Sequence, residues 1–573
     1  MQILLIDTSL MGLAFKNAVD PLILNGSRKG HNHFTRIHSM NIPIKTILVS
    51  TYKKEGLVDF IQALKNEFDV NIISSGGTAK VLRSADIEVQ DVSDYTGAPE
   101  LFGGRIKTIH PRVEGGLLFR RDNPQDVEEA SENNIEPIDM VVCNLYPFEE
   151  VISDPNTTLE NAVEMIDIGG PTMIRAAAKN YNHVTVVSRP EHQSVVLNEM
   201  RENNGATSIE TRQKLAIDVF KTMAVYDAAV FKYLEKQAGV AEKFPDPLVK
   251  IYDKLYMCRY GENWDQEAAF YTDHEAKIGI GNLGKLWGKE ISFNNYLDID
   301  ACFQHLLDLT EHEHSCVIFK HTNPNGVAVD SGTQLEACTR AFSCDPLSAF
   351  GGIWGFNKPL EPEVARYLID EKNVFIEVLI APEIPEESRE IMARKENMRV
   401  LEFGDLLTKR EELYKNHLDF RGILGGILAQ DFDWGPIVKE WKETTSRPVS
   451  EDEKNTLIFA MIVAKWAKSN SAVFAKATPT GMYTIGIGTG QQSRVHVVKL
   501  AHSKALEFGH DTSGSVMATD SFFPFVDGLE AAADAGAVAV VCPGGSIRDD
   551  EVIQRAEELG VSLVFTGKRV FRH

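Results

Sequence analysis

A lysine and a histidine stand side by side at Lys320 and His321, where an apolar run meets a polar segment. Histidine is the side chain best suited to proton transfer near neutral pH. A neighbouring lysine raises the cost of protonating the imidazole and so favours its neutral, basic form. The apolar run at 317–320 predicts a strand that delivers both side chains into an Asn-Pro-Asn-Gly turn at 323–326. This placement predicts a general base.

Polar and aromatic residues further along the chain could hold a planar ligand. Asn470 lies between two serines, and a glycine-rich segment at 486–494 ends in two glutamines, a serine and Arg494. Residues 520–528 contain three phenylalanines around Pro524, followed by Asp527. A flat aromatic ligand would stack on such rings while the carboxylate binds its ring nitrogens. The terminal Arg569 and Arg572 could bind a phosphate or a carboxylate.

The first part of the chain contains a candidate phosphate site. Ser75, Gly76, Gly77 and Thr78 stand where an apolar strand is followed by a predicted helix. Glycines let the backbone approach an anion, and a helix N-terminus offers free N–H groups and a positive dipole end. No Gly-Lys-Ser/Thr follows, so this is not a Walker motif.

A second cluster of polar residues follows the phosphate candidate. Arg105 and Lys107 share one face of an extended segment and lie beside Thr108. Such a face suits a phosphate or a carboxamide oxygen. Tyr146 follows an apolar strand, whose end is where open α/β sheets bind ligands. Asp167 precedes a glycine pair, and Lys179 ends a helix of small residues; singly, each of these is more often structural.

The elements that must position these residues alternate regularly from about residue 46. Strands are predicted at 46–50, 70–74, 140–144 and 183–188, and a helix at 56–68. This alternation predicts a mostly parallel, doubly wound α/β domain that ends near residue 240. The remainder is predicted to form two lobes that meet between 410 and 450, with a buried strand at 535–541. Residues 1–44 show no clear pattern and are interpreted as an extension of unknown role.

Composition restricts the class of protein. The chain has 573 residues with 43% hydrophobic and 25% charged residues, which is typical of a globular protein of about three domains. A net charge of −23 argues against nucleic-acid binding as the main role. Seven scattered cysteines without a CxxC pair indicate a reduced, cytoplasmic protein without a structural zinc site. No apolar run approaches the ~20 residues that a membrane span needs.

Taken together, the motifs resemble a known enzyme family. GGRIKTIHP (103–111), NLYPF (144–148), IDIGGPT (166–172), KHTNPNG (320–326), SAFGG (348–352), SNS (469–471), GIGTGQQSR (486–494) and FFPF (522–525) occur in the order of the enzymes that join IMP cyclohydrolase to phosphoribosylaminoimidazolecarboxamide (AICAR) formyltransferase. The resemblance covers nearly all of the chain, from about residue 46 to residue 573.

The resemblance implies a fold and a function. The fold would be an N-terminal methylglyoxal-synthase-like domain (45–240) followed by a transformylase region (245–573) of two cytidine-deaminase-like α/β lobes without zinc. The enzyme would transfer a formyl group from 10-formyltetrahydrofolate to AICAR, giving FAICAR, and close FAICAR to inosine monophosphate with loss of water. The family also implies a homodimer whose formyl-transfer sites use both subunits, and it allows a bound monovalent cation.

Roles for individual residues follow from the matched motifs. Formyl transfer would use Lys320, His321 and Asn470, and cyclisation would use Lys107, Tyr146, Asp167 and Lys179. The folate pocket would contain Phe522, Pro524 and Asp527. The implied ligands of the two nucleotides are Ser50, Lys54, Ser75, Gly76, Gly77, Thr78, Arg105, Thr108, Arg259, Tyr260, Arg494 and Arg569.

The chain departs from the family pattern at five positions, of which one is Lys53, where the first loop usually has an aspartate. Tyr52 stands where the first loop usually has a serine, and Asp265 stands where a histidine is usual. Asn325 replaces a frequent cysteine, and Val526 replaces a frequent arginine. Two alternatives therefore stay open, namely an enzyme that retains one activity, or a nucleotide- or folate-binding regulator without turnover. Substrate consumption would distinguish an enzyme from a regulator.

Overall fold

A computed structural model of the protein describes residues 41–415 and 417–573. The extension predicted at 1–44 lies almost wholly outside these described residues. The chain divides into two compact units, residues 1–249 and residues 250–573, each with its own hydrophobic core. We call them the N-terminal unit and the C-terminal unit.

The N-terminal unit is built on a parallel sheet of five strands in the order β4-β3-β2-β5-β6. Its central strands are almost continuously apolar, as expected when helices cover both faces of a sheet. The strands of this unit are β1 (Ile42–Pro43), β2 (Thr46–Thr51), β3 (Asn71–Ser74), β4 (Gln90–Asp91), β5 (Met140–Asn144), β6 (Thr185–Val187) and β7 (Ala206–Thr207). The predicted parallel, doubly wound sheet is confirmed, and its last strand is shorter than the predicted 183–188.

Helices connect and cover these strands. The predicted helix over 56–68 is observed as α1, and it buries Leu57, Phe60, Ile61 and Leu64 on one face. Gly56 precedes it in the left-handed region, with φ of 62°. The helices of this unit are α1 (Leu57–Phe68), α2 (Gly76–Ser84), α3 (Val92–Thr96), α4 (Pro111–Leu118), α5 (Pro124–Glu132), α6 (Phe148–Ile152), α7 (Leu159–Glu164), α8 (Gly169–Lys179), α9 (Pro190–Glu202) and α10 (Ile209–Ala238).

The C-terminal unit contains a mixed twelve-stranded sheet in its described residues. Its order is β10-β15-β14-β13-β11-β12-β20-β19-β21-β22-β23-β18, and two hairpins, β8–β9 and β16–β17, lie outside it. The strands are β8 (Tyr252–Cys258), β9 (Ala268–Asp273), β10 (Gly284–Trp287), β11 (His314–Lys320), β12 (Asn323–Asp330), β13 (Gly352–Phe356), β14 (Ile376–Ala381), β15 (Arg399–Glu402), β16 (Leu418–Ile423), β17 (Gly426–Asp431), β18 (Lys442–Glu443), β19 (Ala472–Ala477), β20 (Gly481–Gly488), β21 (Val516–Thr519), β22 (Ala539–Cys542) and β23 (Ser562–Phe565).

The helices of this unit lie between and beside the strands. They are α11 (Phe293–Leu307), α12 (Gln334–Cys344), α13 (Pro346–Ala349), α14 (Pro362–Arg366), α15 (Glu386–Met392), α16 (Arg410–Tyr414), α17 (Glu451–Trp466), α18 (Arg494–Glu507), α19 (Asp527–Asp534) and α20 (Asp549–Leu559).

The sheet consists of two halves with the same connectivity. In each half a helix leads into an antiparallel hairpin, β11–β12 or β19–β20, and three parallel strands follow. The halves join where β12 and β20 pair antiparallel, with Ala328 opposite Tyr483. We call this junction the seam. Antiparallel pairing at the seam puts the β11–β12 turn beside the end of β20, and the β19–β20 turn beside the end of β12.

Two local predictions for this unit were wrong. The turn after β11 is formed by His321 and Thr322, whose φ angles are 54° and 58°, and Asn323 already belongs to β12. The β strand pairing therefore continues through the Asn-Pro-Asn-Gly segment that was predicted to be a turn. The strand predicted at 535–541 begins only at Ala539, because Ala535 and Gly536 end the preceding helix α19.

Candidate active sites

The predicted phosphate cradle lies between the end of β3 and the start of α2. Ser75 is the N-cap of α2, and its buried hydroxyl has no hydrogen-bond partner in the described part of the chain. Gly76 adopts φ of 53°, and no atom within 4 Å would obstruct a Cβ at Gly77. The Thr78 hydroxyl accepts from the backbone N–H of Thr51 and donates to its carbonyl. The loop therefore offers free space, a free hydroxyl and a helix N-terminus to an anion.

Two ammonium groups face this cradle. Lys54 donates to the carbonyls of Thr51 and Tyr52, which keeps its side chain at the end of β2. Burial lowers the pKa of Lys54, and the charge of Lys107 lowers it further, so the two cations lie close together. The Lys107 Nζ is 3.8 Å from where a Cβ on Gly76 would be. An anion between the two would relieve their mutual repulsion.

Asp167 and Tyr146 complete a group around Lys107. The backbone N–H of Gly170 donates to Asp167 Oδ1 at 2.8 Å, and the backbone N–H of Tyr146 also reaches this carboxyl group. Burial raises the pKa of Asp167, while these hydrogen bonds and Lys107 oppose the rise. Burial is also the main cause that raises the pKa of the Tyr146 phenol, followed by the charge of Asp167. A phenol that keeps its proton is suited to hydrogen-bond donation.

Further residues predicted for cyclisation occupy different positions. Thr108 is buried close to Gly169, where an added Cβ would be 3.1 Å from its hydroxyl. Ser50 is half-buried in β2, opposite Cys143 of β5. Arg105 forms an exposed ion pair with Glu164 of α7.

Lys179 is separate from the Lys107 group. It is exposed at the end of α8, ten residues after Gly169, which corresponds to about 15 Å along a helix. Lys179 lines a cavity of about 460 Å³ between α8 and α10, and the cavity also contains Ile217 and Phe220, each 51% exposed. A lysine side chain cannot span that distance, so Lys179 does not join Asp167 within one chain.

In the C-terminal unit, Lys320 and His321 lie at the end of the β11–β12 hairpin. Lys320 Nζ donates to the carbonyl of Phe350 at 2.7 Å, and the His321 side chain is exposed. The left-handed turn is held by Asp298 of α11, which accepts the backbone N–H of Thr322 at 2.5 Å and that of His321. Burial raises the pKa of Asp298 although these bonds oppose the rise. Asp298 thus fixes the backbone that carries the imidazole.

Asn470 lies beside this hairpin across the seam. The backbone N–H of Lys468 donates to Asn323 Oδ1 at 2.9 Å, and Asn323 Nδ2 donates to the carbonyl of His321. Asn470 Nδ2 donates to the carbonyl of Gln491 at 2.6 Å. The structure therefore places Asn470 beside the hairpin that carries Lys320 and His321, although Asn470 lies 150 positions after Lys320 in the sequence. Asn323, Asp298 and the carbonyl of Phe350 also belong to this arrangement, and sequence analysis did not single them out.

Arg494 lies behind Asn470 and is only 8% exposed. Its guanidinium donates to Thr519 Oγ1 at 2.6 Å and forms an ion pair with Asp520. Asp520 also accepts the backbone N–H of Ser471, next to Asn470. In this structure Arg494 is therefore engaged by the protein, and its guanidinium supports the Asn470 loop.

The predicted folate residues follow Asp520 directly. Phe522 is half-buried, whereas Pro524 and Asp527 are exposed, and Asp527 begins α19. Val570 donates its backbone N–H to the carbonyl of Asp520, and Ser469 donates to the carbonyl of Arg572. The C-terminal segment, with an exposed Arg569, therefore runs past the same loops.

Arg259 and Tyr260 follow β8, and the guanidinium of Arg259 lies 5.5 Å from the centre of the Tyr260 ring. The carbonyl of Tyr260 accepts the backbone N–H of Phe293 at the start of α11. Among the described residues, no set of three or more His, Cys, Asp or Glu side chains is arranged to hold a metal ion. No described helix combines the length and apolar character that a membrane span requires.

Comparison with known proteins identifies the family. Residues 56–172 match the model of the MGS-like domain, and residues 177–504 match the model of the AICARFT/IMPCHase bienzyme. A crystal structure of ForH is 32% identical to this chain, covering 33% of this chain and 97% of its own, with a TM-score of 0.30. The bienzyme match spans more than half of the chain, so this protein belongs to the AICARFT/IMPCHase bienzyme family and is a bifunctional enzyme of purine biosynthesis with AICAR formyltransferase and IMP cyclohydrolase activities.

Proposed function

We propose that the hairpin turn at the seam is the formyl-transfer site, with His321 as the general base. The AICAR amine is a weak nucleophile because its lone pair is delocalised into the imidazole and the carboxamide. His321 would take the proton from this nitrogen as it attacks the formyl carbon of 10-formyltetrahydrofolate, the co-substrate used by the family. The observation that carries this proposal is the exposed imidazole beside Lys320 and Asn470.

Lys320 and Asn470 would stabilise the oxyanion of the tetrahedral intermediate. Lys320 has two N–H bonds beyond the one given to Phe350, and the Asn470 amide has one beyond that given to Gln491. Donors fixed in advance cost no reorganisation when charge develops on the formyl oxygen. Collapse of the intermediate breaks the bond between N10 and the formyl carbon, and His321 would return its proton to N10, which releases tetrahydrofolate. Phe522, Pro524 and Asp527 would hold the folate, and Arg259, Tyr260 and Arg569 would hold the ribotide. Arg494, paired with Asp520, would act indirectly by supporting the Asn470 loop.

For cyclisation we propose the group at the carboxyl ends of β2, β3 and β5. Ser75, Gly76, Gly77 and Thr78, with Ser50, Lys54, Arg105 and Thr108, would bind the nucleotide and its phosphate. Lys107 and Tyr146 would polarise the formyl oxygen while the carboxamide nitrogen attacks the formyl carbon. Asp167 would take the carboxamide proton, and the oxygen leaves as water. Because both reacting groups belong to one molecule, much of the rate comes from holding them in contact.

Assaying each half reaction separately tests these roles. The protein would be incubated with AICAR and 10-formyltetrahydrofolate to follow tetrahydrofolate release, and with FAICAR alone to follow inosine monophosphate. We expect turnover in both assays. Turnover in one assay alone would mean that the other site has lost its activity, and binding without turnover in either would refute the proposed roles.

We propose that the enzyme acts as a homodimer. The two hairpins outside the large sheet expose apolar side chains, including Met257 in β8–β9 and Leu424 and Leu428 in β16–β17. Exposed apolar surface of this kind is typical of interfaces. Lys179 would then serve the cyclisation site of a second copy, because it cannot reach Asp167 of its own chain.

The remaining assignments concern domains, cation and compartment. We propose residues 45–240 as the cyclohydrolase domain and 245–573 as the formyltransferase region, whose two lobes meet between 410 and 450. A monovalent cation would fit beside Asp520, whose buried Oδ2 has no hydrogen-bond partner among the described residues. Its effect would be measured as a difference in melting temperature between potassium and tetramethylammonium salts. The seven cysteines are free thiols, which supports a cytoplasmic enzyme.

A further inference from the structure

The loop that follows β2 carries Tyr52 and Lys53, and it is attached to the strand end that carries Tyr146. The backbone N–H groups of Tyr52 and Lys53 both donate to Asn144 Oδ1, at 2.7 and 3.0 Å. Asn144 Nδ2 in turn donates to the carbonyl of Lys53 at 2.8 Å. Asn144 is the last residue of β5, two positions before Tyr146. Three hydrogen bonds thus fix the backbone of Tyr52 relative to Tyr146.

The two tyrosine rings touch. Their centroids are 5.5 Å apart and their planes meet at 66°, an edge-to-face arrangement that aromatic pairs prefer. The Tyr52 ring remains 48% exposed, and the Tyr146 ring that it contacts is half-buried. Serine, the residue usual at this position in the family, is too short to make this contact. The contact therefore depends on the tyrosine that this chain has in place of the usual serine.

The Lys53 side chain pairs with α6, whereas the Tyr52 ring contacts Tyr146. The Lys53 ammonium pairs with Glu150 of α6 at 2.5 Å, with 53% and 64% of the two side chains exposed. An ion pair as exposed as this contributes little to stability. Lys53 is consequently a suitable control for changes made in the same loop.

We propose that Tyr52 is a positioning residue for cyclisation, whose ring holds the phenol of Tyr146 in the direction of the formyl oxygen and keeps water from it. This inference rests on the proposed role of Tyr146 as a hydrogen-bond donor to that oxygen. The direction of the Tyr146 hydroxyl is set by the torsion about its Cα–Cβ bond, and among the described residues the aromatic ring packed against that side chain is Tyr52. A shift of about 1 Å in a reacting group can reduce a rate by up to about 100-fold.

The test compares Tyr52→Ser, Tyr52→Phe and the control Lys53→Ala in the full-length protein. Cyclisation would be measured with FAICAR, and formyl transfer in the same preparations would report intact folding of the other unit. We expect Tyr52→Ser to lower the kcat of cyclisation about 10-fold with KM changed less than about 2-fold. Tyr52→Phe keeps the ring and should stay within about 2-fold of the wild type, as should Lys53→Ala.

A second measurement does not depend on turnover. In protein carrying ¹³C-labelled tyrosine, the Tyr146 ring resonance is assigned from its loss in Tyr146→Phe and then followed with pH. Because burial is the main cause of the raised pKa of Tyr146, exposing the ring to water in Tyr52→Ser should lower its titration midpoint. Tyr52→Phe keeps the ring but removes the Tyr52 charge, the last of the causes that raise the pKa of Tyr146, and should therefore lower the midpoint less than Tyr52→Ser does.

The outcomes separate this inference from the function on which it rests. Full cyclisation in Tyr52→Ser beside a loss in Tyr146→Phe would refute the positioning role alone. Full cyclisation in Tyr146→Phe would refute the proposed role of Tyr146 and this inference with it. An equal loss in Tyr52→Phe and Tyr52→Ser would show that the hydroxyl acts and the ring contact does not.

Discussion

His321 occupies a left-handed backbone conformation that Asp298 stabilises through two backbone hydrogen bonds. Non-glycine residues rarely adopt this conformation without support, and such positions are frequent at functional sites. The left-handed backbone comprises His321, whose side chain projects from the end of the hairpin, and its neighbour Thr322. Both the exposed imidazole and its fixed backbone suit a base that meets its substrate at the surface of the seam.

Replacing His321 by alanine should abolish most formyl transfer and spare cyclisation. General base catalysis typically contributes about 10² to 10⁴ in rate, so we expect a loss in that range. The measurement is tetrahydrofolate release from AICAR and 10-formyltetrahydrofolate, with FAICAR cyclisation as the internal control. An unchanged transfer rate would remove His321 from the mechanism.

Replacing Lys107 by alanine should impair cyclisation and spare formyl transfer. Lys107 faces the phosphate cradle and the carboxylate of Asp167. Without it we expect FAICAR to accumulate when AICAR and 10-formyltetrahydrofolate are supplied, because the formyl oxygen loses a cationic partner. Chromatography of the reaction products gives the readout, and normal output of inosine monophosphate would contradict the assignment.

At the level of single residues, sequence analysis singled out candidate reactive groups and did not find the residues that hold them in place. Lys320, His321 and Asn470 were singled out because their types suit acid–base chemistry and oxyanion binding. Asp298 could not be found in this way, because its role depends on α11 lying under the turn. Arg494 was expected to bind substrate, whereas its guanidinium is paired with Asp520, and that pairing depends on a contact between distant segments.

At the level of elements, the first turn of α4 contains a carboxyl group, Glu114, whose pKa is strongly raised by burial. Burial raises the pKa of Glu114 to about 7, and its Oε1 has no hydrogen-bond partner among the described residues. The folded protein holds this proton to about pH 7, whereas the unfolded chain releases it near its ordinary value of 4.5. Glu114 therefore contributes stability below that ordinary pKa, and the contribution is lost as pH rises towards 7.

Glu114→Gln should stabilise the N-terminal unit in a pH-dependent way. The free energy of unfolding should rise by about 1 kcal/mol at alkaline pH, because the neutral amide avoids the cost of burying a charge and solvent screens part of that cost at this half-buried side chain. The gain should be smaller at about pH 6 than at about pH 8.5. Thermal or denaturant unfolding at both pH values measures the difference, and an equal gain at the two would show that the titration of Glu114 is not its cause.

Elements with a regular apolar pattern were predictable, and the strand–turn transitions were not. The run at β5 and the apolar face of α1 were read from the sequence nearly to the residue. The segment after Lys320 was predicted as a turn because it contains proline and glycine. Its pairing with β11 overrides that local preference, and the two-residue turn falls on His321 and Thr322 instead.

At the level of the whole molecule, the position of Lys179 makes a mixed dimer informative. A dimer of one Lys107→Ala chain and one Lys179→Ala chain has one complete cyclisation site if Lys179 acts on the partner's site, and none if it acts within its own chain. We therefore expect two inactive variants to regain part of the wild-type cyclisation rate when they are co-expressed and purified as a mixed dimer by two affinity tags. No recovery would refute action across the dimer.

Only one of the two equivalent hairpins of the large sheet carries a reactive pair. In the β19–β20 turn the Thr480 hydroxyl donates to the buried carboxylate of Asp330. The guanidinium of Arg340 pairs with the same carboxylate and donates to the Thr478 hydroxyl. The same hairpin thus occurs twice in the sheet, and the second copy ends in a structural clasp of hydroxyl, guanidinium and carboxylate groups. This clasp lies at the end of β12 opposite to His321. Its side chains could therefore be replaced by a designed reactive group at a distance from the proposed formyl-transfer site.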